Sequence, residues 1–133
     1  MKKRLSNNKG FSLVELIIVI AIMAILIGIL APQYIKYVEK SRVSADEDNI
    51  DAMKSAAQTM VADPDTKVTS DFTISISNSG TTVSGDSNAT TELGNIDADY
   101  AKIALKSKKY AGGATIAVTF DATTGLPKVA VTK

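Results

Sequence analysis

Between Phe11 and Ile35 the chain carries one charge, Glu15, and every residue from Leu16 to Ala31 is apolar. A helix of about 20 apolar residues crosses the hydrocarbon core of a bilayer, so this run predicts a membrane-spanning segment. A lone carboxylate at that depth costs roughly 2.5 kcal/mol or more, which marks Glu15 as functional provided it finds a partner. Ahead of the run stand Lys2, Lys3, Arg4 and Lys9 with no acid among them. Such a basic flank keeps the N-terminus on the cytoplasmic side.

Two plainer readings cover part of this pattern. A secretory signal peptide also joins a basic start to an apolar core, but it expects small residues at a cleavage site after the core. Here Ala21, Ala24, Gly28 and Ala31 lie inside the run, which continues into a helical segment. A signal anchor explains the hydrophobicity and the charge asymmetry. Neither gives Glu15 a purpose.

Gly10-Phe11-Ser12-Leu13-Val14-Glu15, behind its basic leader, resembles the start of type IV prepilins, the precursors of bacterial pilus subunits and of the related pseudopilins. The resemblance covers about the first third of the chain. It implies cleavage after Gly10 by a prepilin peptidase, N-methylation of Phe11, and a Glu at the fifth mature position, which is Glu15. Cleavage would create an amine on Phe11, roughly 6 Å from Glu15 along one helix at 1.5 Å per residue. A buried carboxylate is far less costly when paired. The expectation is therefore that Glu15 neutralises the Phe11 amine of an adjacent subunit and sets the register of assembly. Family members commonly have a proline matching Pro32. Gly28 and Pro32 near the end of the run predict a kink or loosened helix, because proline removes a donor and crowds the preceding turn.

Composition bounds the remainder. The chain has 133 residues with 15 basic and 14 acidic side chains; removing the four basic residues of the leader leaves 11 against 14, a net charge of −3. The basic leader is thus a topological signal rather than a nucleic-acid-binding one. There is no Cys, whereas many pilins close a C-terminal loop with a disulfide. Tyr34 and Tyr37 suit a membrane interface. From Gln33 to about Ala62 the pattern turns amphipathic, with Ile50, Met53, Ala57 and Met60 as an apolar stripe. Asp46, Glu47, Asp48 and Asp51 read as a solvated acidic face, with a minor role in subunit-to-subunit charge pairing as the alternative, and Asp63-Pro64-Asp65 ends the helix.

Beyond it, Phe72–Ser77 alternates as a half-buried strand, followed by an Asn78-Ser79-Gly80 turn and a weaker Thr81–Ser84 partner. Ser79–Asn95 reads mainly as a surface loop. Asp97 opens a short helix to about Ser107, with acids first and lysines last, as the helix dipole favours. Ala114–Phe120 and Leu126–Thr132 form a hairpin around Asp121–Gly125. The expected architecture is α+β: residues 1–10 a cytoplasmic leader, 11–32 a transmembrane or filament-core helix, 33–62 an amphipathic stalk, and 63–133 a globular head whose antiparallel sheet lies on the stalk like the bowl of a ladle.

No catalytic site is expected, since His, Cys and Trp are absent and most nucleophilic triads and transition-metal sites with them. Asp63, Asp65 and Asp71 lack the spacing of a calcium loop, and no metal or cofactor is predicted. Lys102, Lys106, Lys108 and Lys109 read as a solvated helix end, and Asn88-Ala89-Thr90 as a glycosylation sequon of low specificity. The resemblance implies a major or abundant pilin serving adhesion, motility or biofilm formation. A pseudopilin of secretion or DNA uptake, and a minor pilin acting as adhesin or DNA receptor, are the alternatives. The partners implied are other pilin subunits, the peptidase, the assembly machinery and the membrane; contact with a host surface, polysaccharide or DNA stays open. The chain would first cross the cytoplasmic (inner) membrane once, then reside in an extracellular pilus.

Overall fold

The computed structural model describes residues 10–133; all of the expected leader 1–10 except Gly10 lies outside the described residues. Helix α1 covers Leu13–Ala62, strands β1–β4 cover Phe72–Ser77, Gly80–Gly85, Ala114–Phe120 and Pro127–Thr132, and helix α2 covers Ser87–Ile96. The chain divides into two compact units, up to Val38 and from Glu39 onward.

In the first unit the apolar residues from Phe11 to Ile35 are all exposed, from 88% at Phe11 to about half at Ile17 and Leu26. α1 starts at Leu13 rather than Phe11 and is helical without interruption through Gly28 and Pro32. Proline has no N–H, so the carbonyl four residues back, that of Gly28, loses its helical donor. The one missing rung therefore falls on the one residue of the turn that has no side chain.

In the second unit the four strands form an antiparallel sheet in the order β2-β1-β3-β4. Alternation places Phe72, Ile74 and Ile76 of β1 and Ala114, Ile116 and Val118 of β3 on one buried face. They share a core with Ile50, Met53, Ala57 and Met60, the stripe of α1, as the helical period requires. α1 ends where Pro64 cannot continue it: Asp63 Oδ1 accepts from Asp65 N at 2.9 Å, and Thr66 Oγ1 donates to Met60 O at 2.6 Å. The two-residue Asn78-Ser79 turn closes on Gly80, where a Cβ would stand 2.5 Å from the Ala101 carbonyl oxygen. In the β3–β4 turn Asp121 Oδ1 accepts from Thr123 N and Thr124 N, both at 2.8 Å.

Three expectations fail, each because a distant partner decides. Most of the 79–95 stretch is structured: β2 occupies Gly80–Gly85, and α2 follows, capped by Asp86, whose Oδ1 accepts from Asn88 N at 2.8 Å. Ala89 and Leu93, one turn apart, supply its buried contact. Asp86 Oδ2 also takes Thr69 N, Ser70 N and Ser70 Oγ, and these donors with Asn88 N hold its carboxyl at about 2. The helix expected over Asp97–Ser107 shrinks to a 3-10 turn at Tyr100–Lys102. Past it, the backbone groups that a helix would use are engaged elsewhere: Leu105 N donates to Ser77 O at 2.9 Å, and Ile103 O accepts from Thr81 Oγ1 at 2.7 Å.

The third failure is Asp46. It is not on a solvated face but 1% exposed. Its carboxylate accepts from Lys106 N (2.9 and 3.0 Å), Ser107 N (2.7 Å) and Ser107 Oγ (2.6 Å). Burial pushes this carboxyl up, but the Ser107 hydroxyl and N–H, then Lys106 N–H and its ammonium, leave it below the ordinary range. On the same side of α1, Glu39 Oε1 accepts from Lys108 N (2.5 Å), and Glu47 Oε1 from Lys109 Nζ (2.7 Å) and Tyr110 OH (2.8 Å). Lys109 and the Tyr110 hydroxyl lower Glu47 in turn. Three carboxylates thus strap residues 106–110 to α1. Asp48 and Asp51 are exposed, as expected.

Replacing Ile116, fully buried in the sheet, by Ala should cost about 2–5 kcal/mol in urea unfolding of the full chain in detergent. Asp46→Ala leaves buried donors unpaired and should cost roughly 2–4 kcal/mol, with faster hydrogen exchange at the Lys106 and Ser107 amides. The folded values of Asp46, Glu47, Asp86 and Asp121 are all lowered. Their contribution is therefore complete above the unfolded carboxylate values near 4 and is lost as pH falls below them. The urea midpoint should accordingly hold between pH 7 and 5 and drop at pH 3, and Asp46→Asn should flatten that drop.

Candidate functional site

The charge pattern at the head of α1 is built by local chemistry. Gly10, Phe11 and Ser12 precede the helix and are exposed, Phe11 at 88%. Ser12 occupies the cap position: its carbonyl accepts from Leu16 N at 3.3 Å, the first rung of the helix. Glu15, in the first turn, turns back to the cap, and its Oε2 accepts from Ser12 N at 2.8 Å. That is the returning half of a capping box, in which the third helical residue satisfies the N–H of the cap. The Ser-x-x-Glu spacing of Ser12 and Glu15 carries this signal in the sequence, and the reading that looked only for a charged partner passed over it.

The arrangement leaves Glu15 exposed and local. Phe11, Glu15, Leu16 and Val19 line a shallow apolar concavity. An acid here also favours the positive end of the helix dipole. The bond between Gly10 and Phe11 precedes the helix, and among the described residues nothing lies within 4 Å of where a Gly10 Cβ would stand. Hydrolysis of that bond would leave a cationic amine one residue before the N–H that Glu15 already engages. The exposed Gly10–Phe11 junction and the Glu15 carboxylate thus lie next to one another at the head of the helix.

The other singled-out residues are not brought to this place. Gly28 and Pro32 lie along the same helix, further into the apolar run. Asp63 and Asp71 serve turns and edges, Asp71 Oδ1 accepting from Phe120 N at 2.7 Å. Asn88 donates its Nδ2 to Lys67 O at 2.9 Å. Lys102 pairs with Asp99 at 2.6 Å. Among the described residues no three or more His, Cys, Asp or Glu side chains gather where they could hold a metal ion. α1 is long and apolar enough to cross a membrane.

The prokaryotic N-terminal methylation motif matches residues 5–31. The chain is 45% identical over 58 residues to the type IV major fimbrial protein FimA of Dichelobacter nodosus, covering 44% of this chain and 37% of that protein. It is 41% identical over 54 residues to a fimbrial protein of Pseudomonas aeruginosa (41% and 35%). It is 38% identical over 59 residues to the type IV major pilin protein PilA of Myxococcus xanthus strain DK1622 (44% and 27%). The chain spans about a third of the length of these curated relatives. No solved structure matches it. The methylation motif around an exposed Gly10–Phe11 junction makes the N-terminal part of this chain similar to that of type IV major pilins, and the same long helix carries a small antiparallel sheet on its amphipathic half.

Proposed function

We propose that this pilin is a major or abundant subunit of a type IV pilus, cut between Gly10 and Phe11, N-methylated at Phe11 and polymerised through its apolar helix. The observation that carries the reading is the first unit: a helix apolar on every side, wholly exposed, with one acid at its start beside an exposed Gly10–Phe11 junction. In a membrane its surface is solvated by lipid, and once out of it only other apolar helices can cover it. Of the charges between Phe11 and Ile35 there is one, so a second charge is needed to make burial of Glu15 tolerable. The Phe11 amine of a neighbouring subunit supplies it.

Before assembly the chain spans the cytoplasmic membrane with Met1–Gly10 inside; afterwards it is part of a surface filament. The prepilin peptidase and the assembly machinery act on it in that order. Gly28 and Pro32, at the missing rung of α1, mark where the helix yields during packing, since a turn short of one hydrogen bond opens first. The adhesive, motile or biofilm use of the filament follows from its outer surface.

Mass spectrometry of filaments sheared from cells of the source organism should return a chain beginning at N-methylated Phe11; a chain beginning beyond Ala31 would restore the signal-peptide reading. Glu15→Ala should be inserted and cut normally but give filaments at about a tenth of the wild-type yield or less, the equivalent of 1.4 kcal/mol or more per subunit. Wild-type filament yield from that variant would remove the charge-pairing role.

A further inference from the structure

The three carboxylates of α1 do not hold the strap as a straight segment. Lys106 and Ser107 bond Asp46, Lys109 and Tyr110 bond Glu47, and between them Lys108 N reaches back to Glu39. Glu39 lies seven residues before Asp46, about 10 Å further toward the apolar run at 1.5 Å per residue. The strap is therefore a bend, and the residue at its apex is a lysine. Lys108 is exposed, and its ammonium enters no ion pair among the described residues. The same holds for Lys40, whose neighbours one turn away on α1 are Lys36, Tyr37, Val43 and Ser44, with no acid among them. Charge is distributed to match. Residues 39–47 and 106–110 hold five cations and three acids, a net +2, and all three acids are turned to the strap. The remainder of 39–133 holds five cations and ten acids, a net −5.

The end of the apolar run is close to this bend along the chain. From Leu16 to Ile35 the helix rises about 30 Å, the thickness of a hydrocarbon core. Tyr34 and Tyr37, 69% and 71% exposed, then fall where a headgroup boundary suits them. Glu39 is four residues past Ile35, so connectivity alone, at about 3.6 Å per residue, keeps it within about 14 Å of the run for any arrangement of the two units. A headgroup layer takes up about 5–7 Å of that. The bend is thus within about one Debye length, 8–10 Å, of the surface of any membrane that the run spans. We propose that Lys40 and Lys108 rest on anionic phospholipid headgroups of the membrane that α1 crosses, an inference that rests on the membrane-spanning reading above. Charge and place select this occupant: the unmatched cations sit at the apex, and the acids nearest them are engaged within the strap. A nucleic acid fits less well, since Tyr110, the one aromatic residue of the strap, is 3% exposed and cannot stack a base. Each lysine adds about fivefold to the preference for an anionic over a neutral surface, and salt screens the contact, so the head is held lightly and released easily.

The chain contains no Cys, so one introduced thiol carries one label, and Ala111 is exposed directly after the strap. A fluorophore on Ala111→Cys in the full chain, reconstituted into vesicles with a nitroxide on the lipid headgroup, reports how near the bend lies to the surface. With about a third phosphatidylglycerol, quenching should be about twofold or more above that in pure phosphatidylcholine, and about 0.5 M salt should remove the difference. Lys40→Gln with Lys108→Gln should also remove it. Lys40→Arg with Lys108→Arg should keep it, since both residues are exposed and only their charge is at issue. Equal quenching in the two lipids, or a difference that survives the Gln changes, overturns the contact. So does a label that answers to single-stranded DNA in detergent but not to phosphatidylglycerol in vesicles, which gives the lysines to nucleic acid. A chain washed out by alkaline extraction overturns the membrane-spanning reading and the contact with it, a failure distinct from equal quenching in a retained chain.

Discussion

The stripe Ile50-Met53-Ala57-Met60 on α1 is the surface against which the rest of the head is folded. β1 and β3 lay their buried faces on it, and α2 adds Ala89 and Leu93 to the same core. Asp46 stands one turn before Ile50, on the same side of the helix, where the apolar contact gives way to a polar one. A buried carboxylate is costly unless each oxygen is occupied. Here the donors come from a segment sixty positions away, so the acid fixes where an otherwise irregular strap must lie. Glu39 and Glu47 extend the same contact along the helix, with exposed partners that contribute less.

Glu15 and Asp46 are two acids on one helix facing opposite physical problems. Asp46 is satisfied within the chain by tertiary donors and behaves as part of the head's packing. Glu15 accepts from the Ser12 N–H, its one hydrogen-bond partner among the described residues, and remains exposed on a surface that is otherwise hydrocarbon. Capping steadies the first turn and leaves the carboxylate able to accept further donors, since one oxygen can take more than one. A local role and an intermolecular one are therefore compatible at the same side chain.

Much of this was legible in the chain. The apolar run, its lone acid and the glycine-phenylalanine junction are linear features, and α1, β1, and the β3–β4 hairpin follow from periods of 3.6 and 2 that need no knowledge of neighbours. The reading faltered at 79–95 and at 97–107. Thr, Ser, Asn and Gly there look like loop, yet β2 forms because β1 offers a hydrogen-bonding edge, and α2 because Asp86 caps it and two small contacts reach the core. Lysines and acids at 97–109 look like a helix with complementary ends, yet Ser77 O and the Asp46 carboxylate take the donors that such a helix would need.

By itself, then, the sequence determined what depends on separation along the chain: the apolar span, the glycine-phenylalanine junction and its nearby carboxylate, the helix stripe and the alternating strands. Only the tertiary structure decided which of the acids at 46, 47, 48 and 51 would be buried and which would face out. Neighbouring acids on a helix look alike in a linear pattern. They differ once a distant segment brings its N–H groups to Asp46 and an ammonium and a hydroxyl to Glu47, and leaves Asp48 and Asp51 to solvent.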